Sequence, residues 1–180
     1  MTTLFLDRDG VINKCMPCGQ YVRSWSEFEF IDGSIHAILN LRMFFTKIIV
    51  VTNQQGVGKN VMPRYHLEDI HQKMQKCLKA NDCFVDRIYY CPHLVIDKCT
   101  CRKPETGMAF QAKKDFPDIE FKTSAIAGDS PSDLEFGSKL GMKTILIGNR
   151  HPADSRANFY FDSLVDFSIH LANYPKALFA

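Results

Sequence analysis

Short apolar runs alternate along the chain with longer segments in which apolar residues recur every three or four positions. The runs predict β-strands, which are TTLFLD, KIIVVTN, RIYYCP, TSAIAGD, KTILIG and NFYFDS. The longer segments predict α-helices, which are GSIHAILNLRMFF, RYHLEDIHQKMQKCLKAN, GMAFQAKKDF, SDLEFGSKLG and LVDFSIHLANY. This alternation indicates an α/β fold with a mainly parallel sheet. The run KIIVVTN is rich in β-branched residues and lacks polar alternation, which is typical of a strand buried on both faces.

Length, composition and charge narrow the class of protein. The 180 residues are 46% hydrophobic, which predicts one domain over residues 1–180 with an ordinary core. The net charge is +2 and the basic residues are scattered, so the charge pattern of a nucleic-acid binder is missing. The first residues do not resemble a signal peptide, and no apolar run approaches the roughly 20 residues that span a bilayer. We therefore expect a soluble, cytoplasmic monomer that binds neither nucleic acid nor membranes.

Polar clusters follow the predicted strands at four places. DRDG follows the first strand, TNQQG the second and GDSPSD the fourth, and CRKPETG lies in the loop after the third. Ligands of open α/β sheets bind beyond the carboxyl ends of the strands, so we expect the four clusters to form one site. The longest irregular segments, about 14–32 and about 91–104, are expected to be functional loops.

Asp7 and Asp9 stand at the end of the first predicted strand, where Gly10 permits a sharp turn. Carboxylates this close repel each other unless a cation or a proton neutralises them. Asp129 and Asp133 bring more carboxylates to the same edge. Hard oxygen ligands of this kind suit Mg²⁺, which also binds phosphate. The alternative, in which Asp7 or Asp9 only caps a turn, leaves the other acids unexplained.

Uncharged and basic side chains complete the predicted site. Thr52 and Asn53 follow KIIVV, so a hydroxyl and an amide can hydrogen-bond a phosphoryl oxygen at this edge. Taken alone, both residues are explained better by ordinary turn chemistry. Arg102 and Lys103 supply the positive charge that a bound phosphate needs, and the alternative for them is solvated loop charge.

The segments FLDRDGVIN, VVTNQQG, CRKPETGM and GDSPSD, in this order and spacing, resemble the four signature motifs of the haloacid dehalogenase (HAD)-like phosphatases. The resemblance implies a capless, Rossmann-like three-layer sandwich and a mechanism through an aspartyl-phosphate. It implies that Asp7 is the nucleophile. It also implies that Asp9 is the general acid and then the general base, and that Thr52 holds the phosphoryl group.

The same resemblance assigns the remaining charged residues. Lys103, with Arg102, takes the stabilising role of the third motif. Mg²⁺ is held by Asp7, Asp129 and the backbone carbonyl of Asp9. The fourth motif departs from the family where a basic residue often stands, because this chain has Ser130 there.

A cluster of cysteines between the second and third motifs points to a second metal. Seven cysteines in a chain without a recognisable secretion signal argue for metal ligation rather than a disulfide framework. CPHLVIDKCTC offers the donors of a closed tetrahedral zinc site, which are Cys91, His93, Cys99 and Cys101. Because all four positions would be filled, we expect this zinc to be structural. The alternative is three free cysteines and a histidine without a shared role.

Two further groups of residues carry weaker signals. Cys15 and Cys18 form a C-x-x-C pair without a thioredoxin-like context, which argues against a redox or metal role. The other histidines lie singly in predicted helices or loops, which favours ordinary structural roles for His36, His66, His71, His151 and His170.

The zinc loop narrows the resemblance to the branch that contains the heptose 1,7-bisphosphate phosphatases and the histidinol-phosphate phosphatases. The segment GQYVRSWSEFEFIDG is also similar to the heptose members. The resemblance implies removal of the C7 phosphate of D-glycero-D-manno-heptose 1,7-bisphosphate, with histidinol phosphate as the alternative substrate. Substrate contacts are implied for residues 21–26, Asn53, Gln54, Arg102 and Lys103. Two other readings stay open, a non-catalytic phosphosugar-binding protein and phosphotransfer to an acceptor other than water.

Overall fold

Strands and helices alternate in the computed structural model of the chain, which describes residues 2–148 and 154–178. The strands are β1 (Thr3–Leu6), β2 (Lys47–Asn53), β3 (Arg87–Cys91), β4 (Ala125–Gly128), β5 (Lys143–Ile147) and β6 (Phe159–Phe161). The helices are α1 (Ser34–Leu41), α2 (Arg64–Lys79), α3 (Gly107–Asp115), α4 (Pro131–Leu140) and α5 (Leu164–Asn173). Short 3₁₀ turns span Trp25–Glu27, Val95–Asp97 and Phe121–Thr123. His151 lies outside the described residues.

The strands form one parallel sheet in the order β3-β2-β1-β4-β5-β6. The α/β prediction is therefore confirmed. The order of the strands reverses between β1 and β4, which pair directly through Leu4 and Ala125. In sheets of this kind the crevice beyond that reversal is where ligands bind. The end of β1, which carries the first aspartate pair, lies at this crevice.

Both faces of the sheet are covered, which makes the fold a three-layer sandwich. Leu4 and Leu6 of β1 point to one face and join a core with residues of α1, α2 and α5. Phe5 points to the other face and packs against residues of α3 and α4. Its ring lies edge-on to Phe136, with 6.3 Å between centroids. Each such buried side chain stabilises the fold by about 1.5–3 kcal/mol, so the sheet that carries the site is rigid.

The irregular segment 14–32 folds back onto the core through its aromatic residues. Trp25 stacks on Phe28 with 4.9 Å between ring centroids, and Phe28 lies edge-on to Phe30 at 5.0 Å. Phe28 is buried and the other two rings pack against the same core. The aromatic residues thus hold this segment beside the carboxyl end of the sheet. Of the described helices, none combines the length and the apolar character that crossing a membrane requires.

Candidate active site

The four polar clusters meet at the carboxyl edge of the sheet. Asp7 directly follows β1 and Asp129 directly follows β4, and the Asp7 amide still donates to the Ala127 carbonyl at 3.0 Å. Oxygens of the Asp7, Asp129 and Asp133 carboxylates all lie within 4.8 Å of one another. The close approach depends on Gly10, because a Cβ at this position would stand 2.1 Å from Asp129 Oδ2.

The Lys103 ammonium lies at the centre of this cluster. Its side chain is only 1% exposed. Its Nζ lies 2.6 Å from the Val51 carbonyl oxygen, 3.0 Å from Asp7 Oδ1 and 2.5 Å from Asp133 Oδ1. The ammonium thus donates a hydrogen bond to the Val51 carbonyl and forms ion pairs with both carboxylates. Burial lowers the pKa of this group, but Asp133 and Asp7 more than offset that effect, so the pKa lies above its usual value.

Burial and the neighbouring carboxylates both disfavour the ionised form of Asp7. Burial is the largest effect and raises its pKa to about 7. Lys103 opposes this rise, whereas Asp133, Asp129 and Asp9 add to it. A divalent cation shared by Asp7 and Asp129 relieves both the repulsion and the desolvation, and carboxylate oxygens are the donors that Mg²⁺ prefers. The donor set therefore fits a magnesium ion.

Asp9 is in the opposite situation, because hydrogen-bond donors surround its carboxylate. Arg8 Nη2 donates to both oxygens at 2.7 and 2.9 Å, Asn13 Nδ2 donates to Oδ1 at 2.9 Å, and Gln54 Nε2 donates to Oδ2 at 2.7 Å. Burial by itself raises the pKa of Asp9. Arg8, Asn13 and Gln54 outweigh burial and hold the pKa below its usual value. The carboxylate is thereby fixed in one orientation beside Asp7.

Arg8 and His71 belong to this arrangement, although neither was predicted as a site residue. Arg8 is fully buried, and its Nη1 lies 3.2 Å from His71 Nε2. His71 stands on the buried face of α2 with Leu67, Ile70 and Met74. The sequence shows only that a histidine stands at a core position of a predicted helix. It does not show that Arg8, 63 residues away, is the partner of this histidine. The sequence favours only an ordinary structural role for His71. In the structure His71 contacts Arg8, which in turn binds Asp9.

The residues at the end of β2 are oriented by one another and by the neighbouring loop. Thr52 is buried, and its Oγ1 accepts a hydrogen bond from Gln54 Nε2 at 3.0 Å. Asn53 uses both ends of its amide on the backbone of Lys103, donating to its carbonyl and accepting from its N–H, each at 3.0 Å. Asn53 thus ties the loop of the third motif to the sheet.

Ser130, the residue that departs from the family pattern, begins α4. Its hydroxyl and its amide donate to Asp133 Oδ2 at 2.6 and 3.1 Å, and this N-terminal cap leaves Asp133 Oδ1 for Lys103. Asp133 is completely buried and stands against Gly128, where a Cβ would overlap its carboxylate at 2.2 Å. Asp133 therefore orients Lys103.

A cleft leads from Asp9 to the segment that follows the first motif. Its inner part has a volume of about 160 Å³ and is lined by residues that include Asp9, Asn53 and Gln54. Its outer part, of about 260 Å³, shares Gln20 and Tyr21 with the inner part and adds Arg23 and Lys59. The Lys59 ammonium lies 5.3 Å from the centroid of the Tyr21 ring. The cleft thus has one acid, Asp9, at its inner end and two cations, Arg23 and Lys59, at its outer end.

Arg102 stands next to Lys103 but contributes nothing to the central cluster. Its Nη1 is buried and has no hydrogen-bond partner among the described residues. Buried guanidinium N–H groups are usually paired, so an anion or a water molecule is the partner to expect here.

The cysteine cluster closes the loop between β3 and α3. Cys91 Sγ lies 3.5 Å from Cys99 Sγ and 3.0 Å from Cys101 Sγ, and His93 Nδ1 lies 3.2 Å from Cys101 Sγ. Thiolates around one tetrahedral zinc, with Zn–S bonds of about 2.3 Å, stand about 3.7 Å apart. The four donors, all within 4.8 Å of one another, could therefore hold one zinc ion. Cys15 and Cys18 lie outside this group, and Cys15 Sγ donates to Asp129 Oδ2 at 3.6 Å.

Comparison with known proteins gives this geometry a family. The family model described as HAD-hydrolase-like matches residues 100–167. A D-glycero-alpha-D-manno-heptose-1,7-bisphosphate 7-phosphatase of Mycobacterium bovis is 38% identical over 171 residues, which cover 92% of this chain and 89% of the relative. A D-glycero-beta-D-manno-heptose-1,7-bisphosphate 7-phosphatase of Salmonella typhi is 35% identical and covers 96% of each chain.

The structural comparison agrees with the sequence comparison. The crystal structure of D,D-heptose 1,7-bisphosphate phosphatase from B. bronchiseptica, complexed with magnesium and phosphate, has a TM-score of 0.85 to this chain. The two are 28% identical, and the alignment covers 96% of this chain and 99% of that one. HAD phosphatases hydrolyse phosphate esters with the help of Mg²⁺. The chain therefore belongs to the HAD-like phosphatases and is a hydrolase of phosphate monoesters.

Proposed function

We propose that the protein hydrolyses the C7 phosphate of D-glycero-D-manno-heptose 1,7-bisphosphate, with Asp7 as the nucleophile. The observation that carries the assignment of the site is the convergence of Asp7, Asp129 and the buried Lys103 ammonium at the reversal point of the sheet. The substrate rests on the names of relatives that share 34–38% identity with nearly the whole chain.

In the first step a carboxylate oxygen of Asp7 forms a bond to phosphorus while the bond from phosphorus to the sugar oxygen breaks. The orientation of Asp7 supports this role, because its Oδ1 is held by the Arg8 amide at 2.7 Å and by Lys103 at 3.0 Å. Lys103 is close enough to Asp7 to meet a phosphoryl oxygen. Thr52 stands near the end of β2, the strand next to β1, and is the second candidate for this contact. Asp7, Asp129 and the Asp9 carbonyl oxygen would hold Mg²⁺, which would supply charge neutralisation between the carboxylate and the phosphate.

Asp9 moves the protons of both steps. It donates a proton to the departing sugar oxygen, so that the leaving group is an alcohol rather than an alkoxide. It then takes a proton from water, whose oxygen attacks phosphorus and releases Asp7 and inorganic phosphate. The pKa of Asp9 lies low in the ligand-free chain, and the negative charge of a phosphate bound beside it favours the protonated form that the first step needs.

The outer part of the cleft suits the second phosphate of the substrate. Arg23 and Lys59 line it together with Tyr21, so it offers two cations to an anionic group. Histidinol phosphate has no second phosphate to meet these cations, which favours a bisphosphate. A zinc ion held by the cysteine cluster would fix the loop that presents Arg102 and Lys103.

The test is Mg²⁺-dependent phosphate release from a panel of substrates. The panel contains both anomers of the heptose bisphosphate, histidinol phosphate and several hexose phosphates. We expect kcat/KM to favour one heptose anomer by at least two orders of magnitude, or about 3 kcal/mol of transition-state discrimination. Asp7→Asn should retain the fold and lose turnover. Flat and slow hydrolysis of the whole panel would contradict the heptose assignment, and free phosphate as the product would exclude transfer to another acceptor.

A further inference from the structure

Arg8 connects Asp9 to helix α2 through two opposite ends of its guanidinium. One end, Nη2, donates to both oxygens of Asp9. The other end, Nη1, meets His71 Nε2 at 3.2 Å. The remaining donor, Nε, has no partner among the described residues, and the guanidinium carbon lies 6.0 Å from the centroid of the Phe28 ring. The guanidinium is therefore held by polar contacts at Asp9 and His71.

His71 receives this hydrogen bond as a neutral ring. An arginine can only donate, so Nε2 must accept and the ring proton lies on Nδ1. Burial and the neighbouring Arg8 charge lower the pKa of His71 to about 3, with Asp9 opposing. The ring is 7% exposed and lies 5.6 Å from the ring of Tyr90, measured between centroids. The contact with Arg8 is thus a fixed hydrogen bond between buried groups.

We propose that His71 is a positioning residue for the reaction, which holds the Arg8 guanidinium in the orientation that aligns the Asp9 carboxylate with the leaving oxygen. The inference rests on the proton-transfer role proposed above for Asp9. His71 occupies a core position of α2 between Ile70 and Met74, where a leucine would fill the space but leave Arg8 Nη1 buried without an acceptor. Without His71, Arg8 loses the acceptor of Nη1 and keeps polar contacts only with Asp9. Asn13 and Gln54 still bind the carboxylate, but the contribution of Arg8 to its alignment is then less well oriented.

The test compares leaving groups. An alkyl phosphate such as the sugar substrate needs a proton on its leaving oxygen, whereas the phenolate of p-nitrophenyl phosphate leaves without one. In His71→Leu we expect kcat/KM for the alkyl phosphate to fall by about tenfold or more, out of the roughly 10²–10⁴-fold that acid–base catalysis contributes. For the aryl phosphate we expect less than about a threefold change. His71→Gln keeps an acceptor for Arg8 and should stay near the wild-type ratio of the two values.

The ratio of the two kcat/KM values does not depend on how much of the enzyme is folded, so a moderately unstable variant still gives a result. If His71→Leu does not fold at all, His71→Met carries the test with a side chain that adapts to the same site. His66→Leu is the matched control, since it makes the same change on α2 at a half-buried histidine whose ring contact is with Tyr65.

Asp9→Asn separates this inference from the proposed role of Asp9. A loss that is selective for the alkyl phosphate in both Asp9→Asn and His71→Leu supports the proposal. A selective loss in Asp9→Asn with equal losses, or none, for the two substrates in His71→Leu would overturn the role of His71 alone. Equal losses for both substrates in Asp9→Asn would overturn the role of Asp9 and the inference with it.

Discussion

The neutral state of His71 makes a quantitative prediction about stability in acid. In the folded chain the pKa of His71 is about 3, because the ring is buried beside Arg8, against 6.5 for a free histidine. Below pH 6.5 the unfolded chain therefore binds a proton that the folded chain does not. The free energy of unfolding must fall as the pH decreases from 6.5 towards 3, and His71→Gln removes this contribution.

The magnitude follows from the two pKa values. At pH 5 protonation of His71 stabilises the unfolded state by RT ln(1 + 10¹·⁵), about 2 kcal/mol, and at pH 7 by only about 0.2 kcal/mol. The stability advantage of the wild type over His71→Gln should therefore shrink by about 2 kcal/mol between pH 7 and pH 5. In a chain of this length that change corresponds to roughly 4–8 °C in Tm.

Urea unfolding at 25 °C, measured for both proteins at pH 7, 6 and 5, checks this prediction. The metal sites and the carboxylates titrate in both proteins, so their contributions cancel when the two free energies are subtracted. His66→Gln, on the same helix and away from Arg8, is the control for the substitution itself. A difference between wild type and His71→Gln that stays constant from pH 7 to pH 5 would refute the neutral, buried state of His71.

Three other changes probe the rest of the site. Lys103→Met removes the buried cation that pairs with Asp7 and Asp133, so turnover should be lost. In urea unfolding measured in the absence of Mg²⁺, the free energy of unfolding should fall by about 3–5 kcal/mol. A fall of less than about 1 kcal/mol would contradict the buried ion pairs. Cys101→Ser should lower the zinc content of the purified protein, measured by atomic emission, from one ion per chain to nearly none; wild-type protein purified without zinc would argue against the site. Lys59→Ala should raise KM for the heptose bisphosphate about tenfold and leave p-nitrophenyl phosphate unchanged; equal effects on both substrates would remove Lys59 from the second phosphate site.

Most of the fold could be predicted from the sequence because local and global signals agree. The β-branched run KIIVVTN is observed as β2 with both of its faces covered, since such residues suit a pleated and buried surface. The run TSAIAGD was assigned one strand, but β4 begins only at Ala125 because Phe121–Thr123 forms a 3₁₀ turn. The first and last residues of a strand or helix depend on tertiary packing, which a single sequence does not encode directly.

The positions of the motif residues were also predictable, because parallel strands bring their carboxyl ends to one edge. The partners of these residues were not. Arg8 lies between two aspartates and would be expected in solvent, yet it is buried, with Asp9 and His71 as the partners of its two Nη groups. Asn53, for which we expect a substrate contact, also uses both ends of its amide on the Lys103 backbone, and this second partner was not predicted. Contacts between groups 50 or more residues apart cannot be read from spacing along the chain.

The two aspartates of the first motif differ chiefly in the cations that accompany them. Arg8 forms its ion pair with Asp9 alone, and the pKa of Asp9 lies below its usual value. Lys103 is shared between Asp7 and Asp133, and the pKa of Asp7 is about 7. The reaction needs the reverse order, an ionised nucleophile and a protonated acid. A cation beside Asp7 and an anion beside Asp9 each shift the pKa in the required direction. The chain by itself therefore holds the reacting groups in place, and the charges of a bound metal and of the substrate phosphate would shift both pKa values towards the states that the reaction needs.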